Sequence, residues 1–141
     1  MSANKMVVSI VDDELDITVL FHEVLQTIGG TSISTFTDPI LALEHFTINK
    51  ANYVLVISDL KMPGLNGMEL LKKVKKLSPS VRTILMTAFE IDDKLLQQYL
   101  KRKIINAFLQ KPIEIKDLLL EVDKQIVTHE LQKQRSFIKI K

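Results

Sequence analysis

The 141-residue sequence predicts an α/β domain whose five-stranded parallel sheet is sandwiched between two layers of helices. Short apolar runs rich in β-branched residues alternate with longer segments in which apolar residues recur every three or four positions, and this alternation repeats along the whole chain. Strands separated by helices pair in parallel through right-handed crossovers, which covers both faces of the sheet.

The elements follow in order. Lys5 to Val11 (KMVVSIV) reads as a buried first strand. Glu14 to Ile28 reads as a helix with Ile17, Leu20, Phe21, Val24 and Ile28 along one face, acids in its first turn and a stop at Gly29-Gly30. Thr31 to Phe36 (TSISTF) is polar enough for a strand at a sheet edge. Asp38-Pro39 supplies an N-cap and a first helical residue, opening a helix through Ile48. Tyr53 to Ser58 (YVLVIS) is the third strand. Asn66 caps a helix that faces Leu70, Leu71, Val74 and Leu77 inward and Lys72, Lys73, Lys75 and Lys76 outward, until Ser78-Pro79 ends it. Val81 to Thr87 (VRTILMT) is the fourth strand, and Ile91 to Lys101 is amphipathic through Ile91, Leu95 and Tyr99. Ile104 to Leu109 (IINAFL) is a weaker fifth strand, and a last helix begins near Pro112-Ile113-Glu114 and runs past Val127. From Ser136 the helical period is lost, so residues 1–130 are expected to form the domain and residues 131–141 a C-terminal extension or linker stub.

Composition narrows the function classes. A chain of this length buries a sizeable core without disulfides or metals. With 46% hydrophobic and 26% charged residues it is too mixed for disorder. The absence of cysteine removes disulfide frames, thiol catalysis and Cys-based metal sites. A net charge of +2 carries no nucleic-acid footprint, and no apolar run is long enough for membrane insertion, so the expected location is the cytoplasm.

In an open parallel α/β sheet, ligands bind beyond the carboxyl ends of the strands. The end of the first strand carries Asp12-Asp13-Glu14, that of the third Asp59, that of the fourth Thr87 and that of the fifth Lys111. Singly, each has a plain structural use: Asp as a turn or cap acceptor, Thr as a turn hydroxyl, Lys as a solvated cation. Together on one rim they invite a chemical reading. Carboxylates brought to about 4 Å at an effective dielectric near 20 repel by roughly 4 kcal/mol per pair, so a proton or a cation has to sit among them. Oxygen donors without convergent His or Cys suit Mg²⁺ or Mn²⁺ rather than zinc. The histidines, His22, His45 and His129, are scattered over helical segments and read as surface or packing residues. A carboxylate beside such a cation, facing a Lys and a hydroxyl, is equipped to attack phosphorus and form an aspartyl phosphate.

At this point the chain resembles the receiver domain of two-component response regulators. The pattern is VDDE at 11–14, DLKMPGLNG from Asp59 to Gly67, MTA at 86–88 and FLQKP at 108–112. The resemblance implies a flavodoxin-like sheet of order 2-1-3-4-5, with Asp59 as phosphoacceptor and Asp13 as a direct Mg²⁺ ligand. Asp12 would hold a metal-bound water or assist coordination, and the backbone carbonyl of Lys61 would complete the protein ligands. Thr87 would hydrogen-bond the phosphoryl group, Lys111 would pair with it, and the Lys111-Pro112 peptide is expected to be cis. Ala88 is small, as the family keeps this position so that a phosphodonor can reach Asp59. Phe108 falls at the aromatic switch position, with ordinary core packing as the alternative use of it. Lys61 and Phe89 fall at tuning positions, and a cation and a ring there are expected to shield the phosphoryl group and slow its loss.

The implied partners are a sensor histidine kinase or phosphotransfer protein, a downstream effector protein or output domain, and a second copy through the face of the fourth helix, fifth strand and fifth helix. Two rivals differ in chemistry. A flavin-binding electron carrier would cradle phosphate with hydroxyls and glycine where this chain has Val11-Asp12-Asp13-Glu14. A Mg²⁺-dependent phosphohydrolase with an aspartyl nucleophile places a second Asp where this chain has Lys61.

Overall fold

β1 (Met6–Val11), β2 (Thr31–Phe36), β3 (Tyr53–Asp59), β4 (Arg82–Thr87) and β5 (Ala107–Gln110) form one parallel sheet in the order β2-β1-β3-β4-β5. The crossovers contain α1 (Leu15–Leu25), α2 (Pro39–Asn49), α3 (Gly67–Leu77) and α4 (Asp93–Lys101), and α5 (Ile115–Ile140) follows β5. The computed structural model describes residues 5–88 and 90–140, so Phe89 lies outside the described residues.

The central strand β3 is buried along its whole length and divides the core by side-chain alternation. Val56 packs with Phe46, Leu70, Leu71 and Leu85 on the side of α2 and α3. Leu55 and Ile57 pack with Phe21, Leu25, Leu118 and Val122 on the side of α1 and α5. Each fully buried aliphatic side chain contributes roughly 1.5–3 kcal/mol. The helix starts use the caps that their sequences offer. The Asp38 carboxylate accepts from Ile40 N at 2.9 Å, and Asn66 and Glu69 form a reciprocal capping box. Among the described residues no helix is long and apolar enough to cross a membrane.

Several local expectations change. The fifth strand begins at Ala107, not Ile104, because Ile104 and Ile105 are used to close α4. Lys103 adopts a left-handed φ of 61° and donates to Leu100 O, while Ile104 N donates to Tyr99 O, which satisfies the last carbonyls of the helix. Ile91 precedes α4, whose N-cap is Asp92, and Leu96 packs inward where Leu95 was expected to. Leu20 and Leu77 are likewise exposed on the flanks of α1 and α3, while Leu25 is fully buried.

Lys75 turns inward instead of outward. Its ammonium donates to Val81 O at 2.6 Å and to Asn106 Oδ1 at 2.8 Å. α5 stays helical through Ile140, past the loss of apolar period at Ser136. Good helix formers among residues 131–135 carry it, and Arg82 ties it to the sheet by donating to Gln125 Oε1 at 2.8 Å and Gln132 Oε1 at 3.3 Å. Of the histidines, His45 is hydrogen-bonded to the Tyr53 hydroxyl at 2.7 Å, and His129 lies 3.3 Å from Glu130.

Candidate phosphoacceptor site

Parallel register brings the chemically furnished residues to one rim. Val11 pairs with Ser58, Asp59 with Met86, and Thr87 with Gln110, so the carboxyl end of each strand emerges beside its neighbour's. The ladder runs one step further through Asp12 N to Phe36 O at 3.0 Å, Leu60 N to Met86 O at 2.9 Å and Lys111 N to Thr87 O at 2.8 Å. The side chains of the rim therefore hang on backbone that the sheet still holds. The Lys111-Pro112 peptide is cis, as expected.

Asp12, Asp13 and Asp59 converge, each offering a carboxylate oxygen within 4.8 Å of the others. Asp12 is fully buried and satisfied on both oxygens. Oδ1 accepts from Glu14 N at 2.9 Å, and Oδ2 accepts from Lys111 Nζ at 2.7 Å. Asp13 is exposed beside it. Asp59 is 8% exposed, accepts from Leu60 N at 3.0 Å, and has Lys111 Nζ 3.5 Å from its Oδ1. Burial raises the pKa of Asp59, the Asp12 charge raises it further, and Lys111 only partly offsets them. Lys111 shows the opposite balance: burial alone would lower its pKa, but the Asp12 hydrogen bond and the charges of Asp12 and Asp59 outweigh burial and raise it. The donor set is all oxygen and rich in charge, which fits a hard divalent cation such as Mg²⁺.

Thr87 ends β4 and is fully buried, Ala88 follows it exposed at the rim, and Lys61 is exposed two residues beyond Asp59. Phe108 is half-buried, packs against the core on the α2 and α3 side, and borders a cavity of about 370 Å³ with Glu90, Ile91, Asp93, Leu96 and Gln110. Two supporting residues lay beyond the chemical reading of the sequence. Gly67 packs directly on the Asp59 backbone and donates its N–H to Leu60 O at 2.7 Å. Gln110 donates from Nε2 to Thr87 O at 2.9 Å. The glycine closing DLKMPGLNG was the available signal for the first; the second has none in the local pattern.

The family model for the response regulator receiver domain matches residues 8–123. Among curated relatives, the chain is 31% identical over 118 residues to sporulation initiation phosphotransferase F of Bacillus subtilis, covering 83% of this chain and 90% of that protein. It is 32% identical over 125 residues to the DNA-binding transcriptional regulator NtrC of Klebsiella pneumoniae, covering 89% of this chain but 26% of NtrC. The chain thus spans about a quarter of that regulator's length. A response regulator receiver domain protein from Clostridium thermocellum superimposes with a TM-score of 0.80 at 28% identity, covering 89% of this chain and 98% of that one. The order of the sheet, the acids and lysine on its carboxyl rim and these matches agree: the chain belongs to the response regulator receiver domains of two-component signal transduction.

Proposed function

We propose that this receiver accepts a phosphoryl group on Asp59 from a sensor histidine kinase or phosphotransfer protein. The observation that carries the reading is Asp59 itself, a carboxylate at the end of strand β3 that keeps 11% of its side chain exposed and is held among two further carboxylates and one ammonium. Asp12, Asp13, Asp59 and the Lys61 backbone carbonyl are the residues that would hold Mg²⁺. The ion supplies charge neutralisation for the transferring phosphoryl oxygens when bound. An Asp59 oxygen attacks phosphorus, and the bond from phosphorus to the donor breaks with its electron pair leaving on the donor. Lys111 then pairs with the new phosphoryl oxygens, and Thr87 donates its hydroxyl to one of them. The domain modifies itself and turns over no separate substrate.

The signal passes outward by population shift. As Thr87 turns toward the phosphoryl group, Phe108 rotates, and the face formed by α4, β5 and α5 changes shape. The face so altered would engage a downstream effector or output domain, or a second copy. Lys61 and Phe89 tune the lifetime of the adduct. The assignment carries with it a cytoplasmic location, with residues 1–130 as the receiver and 131–141 as an extension.

Incubation with Mg²⁺ and acetyl phosphate, followed by intact mass of wild type and Asp59→Asn, tests the chemistry. One phosphoryl adduct per chain, lost in the variant, is the expected result. Sustained turnover of a generic phosphate ester would favour a Mg²⁺-dependent phosphohydrolase instead.

A further inference from the structure

A large concavity lies at the opposite end of the sheet. There α5 overhangs the amino ends of β1 and β3 and encloses a cavity of about 940 Å³. The seven residues of β3 separate it from Asp59 by about 20 Å. Its walls include Lys5 before β1, Lys50 after α2, and Lys133 and Arg135 on the overhang. All four are exposed, and among the described residues none of them forms an ion pair. The carboxylate in the wall, Glu130, lies 3.3 Å from His129 Nδ1. Four cations against one carboxylate leave a surplus of three positive charges on this wall, whereas the whole chain carries +2.

Such a concentration is unfavourable by itself. A sphere of this volume is about 12 Å across, so one compact multivalent anion could reach cations on several of its walls at once. We propose that this cavity is a binding site for a small polyanion bearing two or more phosphate groups. The volume falls within the roughly 300–1,000 Å³ of small-molecule sites, and concave walls drawn from separate segments favour a compact ligand over a flat protein surface. Serine hydroxyls from Ser78 and Ser80 add donors that suit phosphate oxygens. A ligand bridging Lys5 and Lys50 to Lys133 and Arg135 would clamp the α5 overhang onto the sheet, independently of the chemistry at Asp59.

Calorimetric titration of the full chain with inorganic tripolyphosphate, in metal-free buffer at physiological salt, tests this. One saturable site is expected. Lys133→Glu with Arg135→Glu should weaken it by at least about tenfold, with helix content unchanged by circular dichroism. Lys50→Ala, just after α2, should weaken it separately, whereas Lys94→Glu with Lys101→Glu on α4 should leave it unaltered. The proposal is overturned by absence of saturable heat up to about 5 mM ligand. It is equally overturned by an equal loss in the α4 variant, or by an oligo-aspartate peptide binding in preference to tripolyphosphate.

Discussion

Replacing Gly67 with alanine sets two effects of opposite sign against each other. Alanine is the better helix former by about 1 kcal/mol in a helix interior, and Gly67 opens α3, where the gain is smaller. Against it, a Cβ at this position would press on the Asp59 carbonyl oxygen, lie 2.9 Å from the Asp59 carbonyl carbon and 3.1 Å from Leu60 Cα. All three are backbone atoms, with no rotamer that could yield. Comfortable carbon–carbon contacts lie near about 3.5–4.0 Å, so the start of α3 has to retreat from the end of β3 by roughly 1 Å. The 2.7 Å hydrogen bond from Gly67 N to Leu60 O would stretch with it. Overpacking of this kind costs about 1–3 kcal/mol, which exceeds the propensity gain, so Gly67→Ala should lower stability in urea by about 1–2 kcal/mol. The displaced carbonyl belongs to Asp59, the proposed phosphoacceptor, and misplacement of about 1 Å should slow phosphorylation by acetyl phosphate about 100-fold. Equal urea midpoints together with an unchanged rate of adduct formation would refute the reasoning.

Three further outcomes are expected. Lys111→Met removes an ammonium 2.7 Å from Asp12 and 3.5 Å from Asp59 that competes with a divalent cation, so Mg²⁺ affinity by calorimetry should rise about tenfold while phosphorylation falls; unaltered affinity would count against it. Burial first, then the charges of Arg82 and Lys103, lower Lys75 from 10.5 to about 8. Between those pH values the unfolded chain binds more protons, so stability should rise with pH across that window. The partly exposed position limits the gain to about 1 kcal/mol, and a slope unchanged in Lys75→Met urea titrations would rule this out. Lys61→Ala and Phe89→Ala should each shorten the phosphoryl half-life, measured by decay of the adduct mass; a half-life that barely moves would remove both residues from a shielding role.

Local signals carried far where the physics is local. Asp38 and Asn66 cap the helices they announce, because a cap depends on the next three residues and little else. Strand interiors such as YVLVIS were legible from composition, since a strand covered on both faces has to be apolar throughout. Helix faces were less so. Apolar period identifies a stripe but not which flank meets the sheet, and so Leu20, Leu77 and Leu95 are exposed while Leu25 and Leu96 pack inward. Ile104-Ile105 resembled strand because an apolar pair that seals a helix end has the same composition as one that starts a strand.

The acids and the lysine of the rim could be named from the chain alone, because alternating strands and helices leave strand ends only one side of the sheet on which to gather. Their pairing could not. That Lys111 salt-bridges Asp12 across 99 positions, that Lys75 is drawn into a half-buried network with Asn106, and that Gly67 is a glycine because Asp59 passes against it are consequences of distances between segments remote in sequence. Periodicity and capping act over a few residues, whereas charge pairing and close backbone approach exist only once the sheet has brought those segments together.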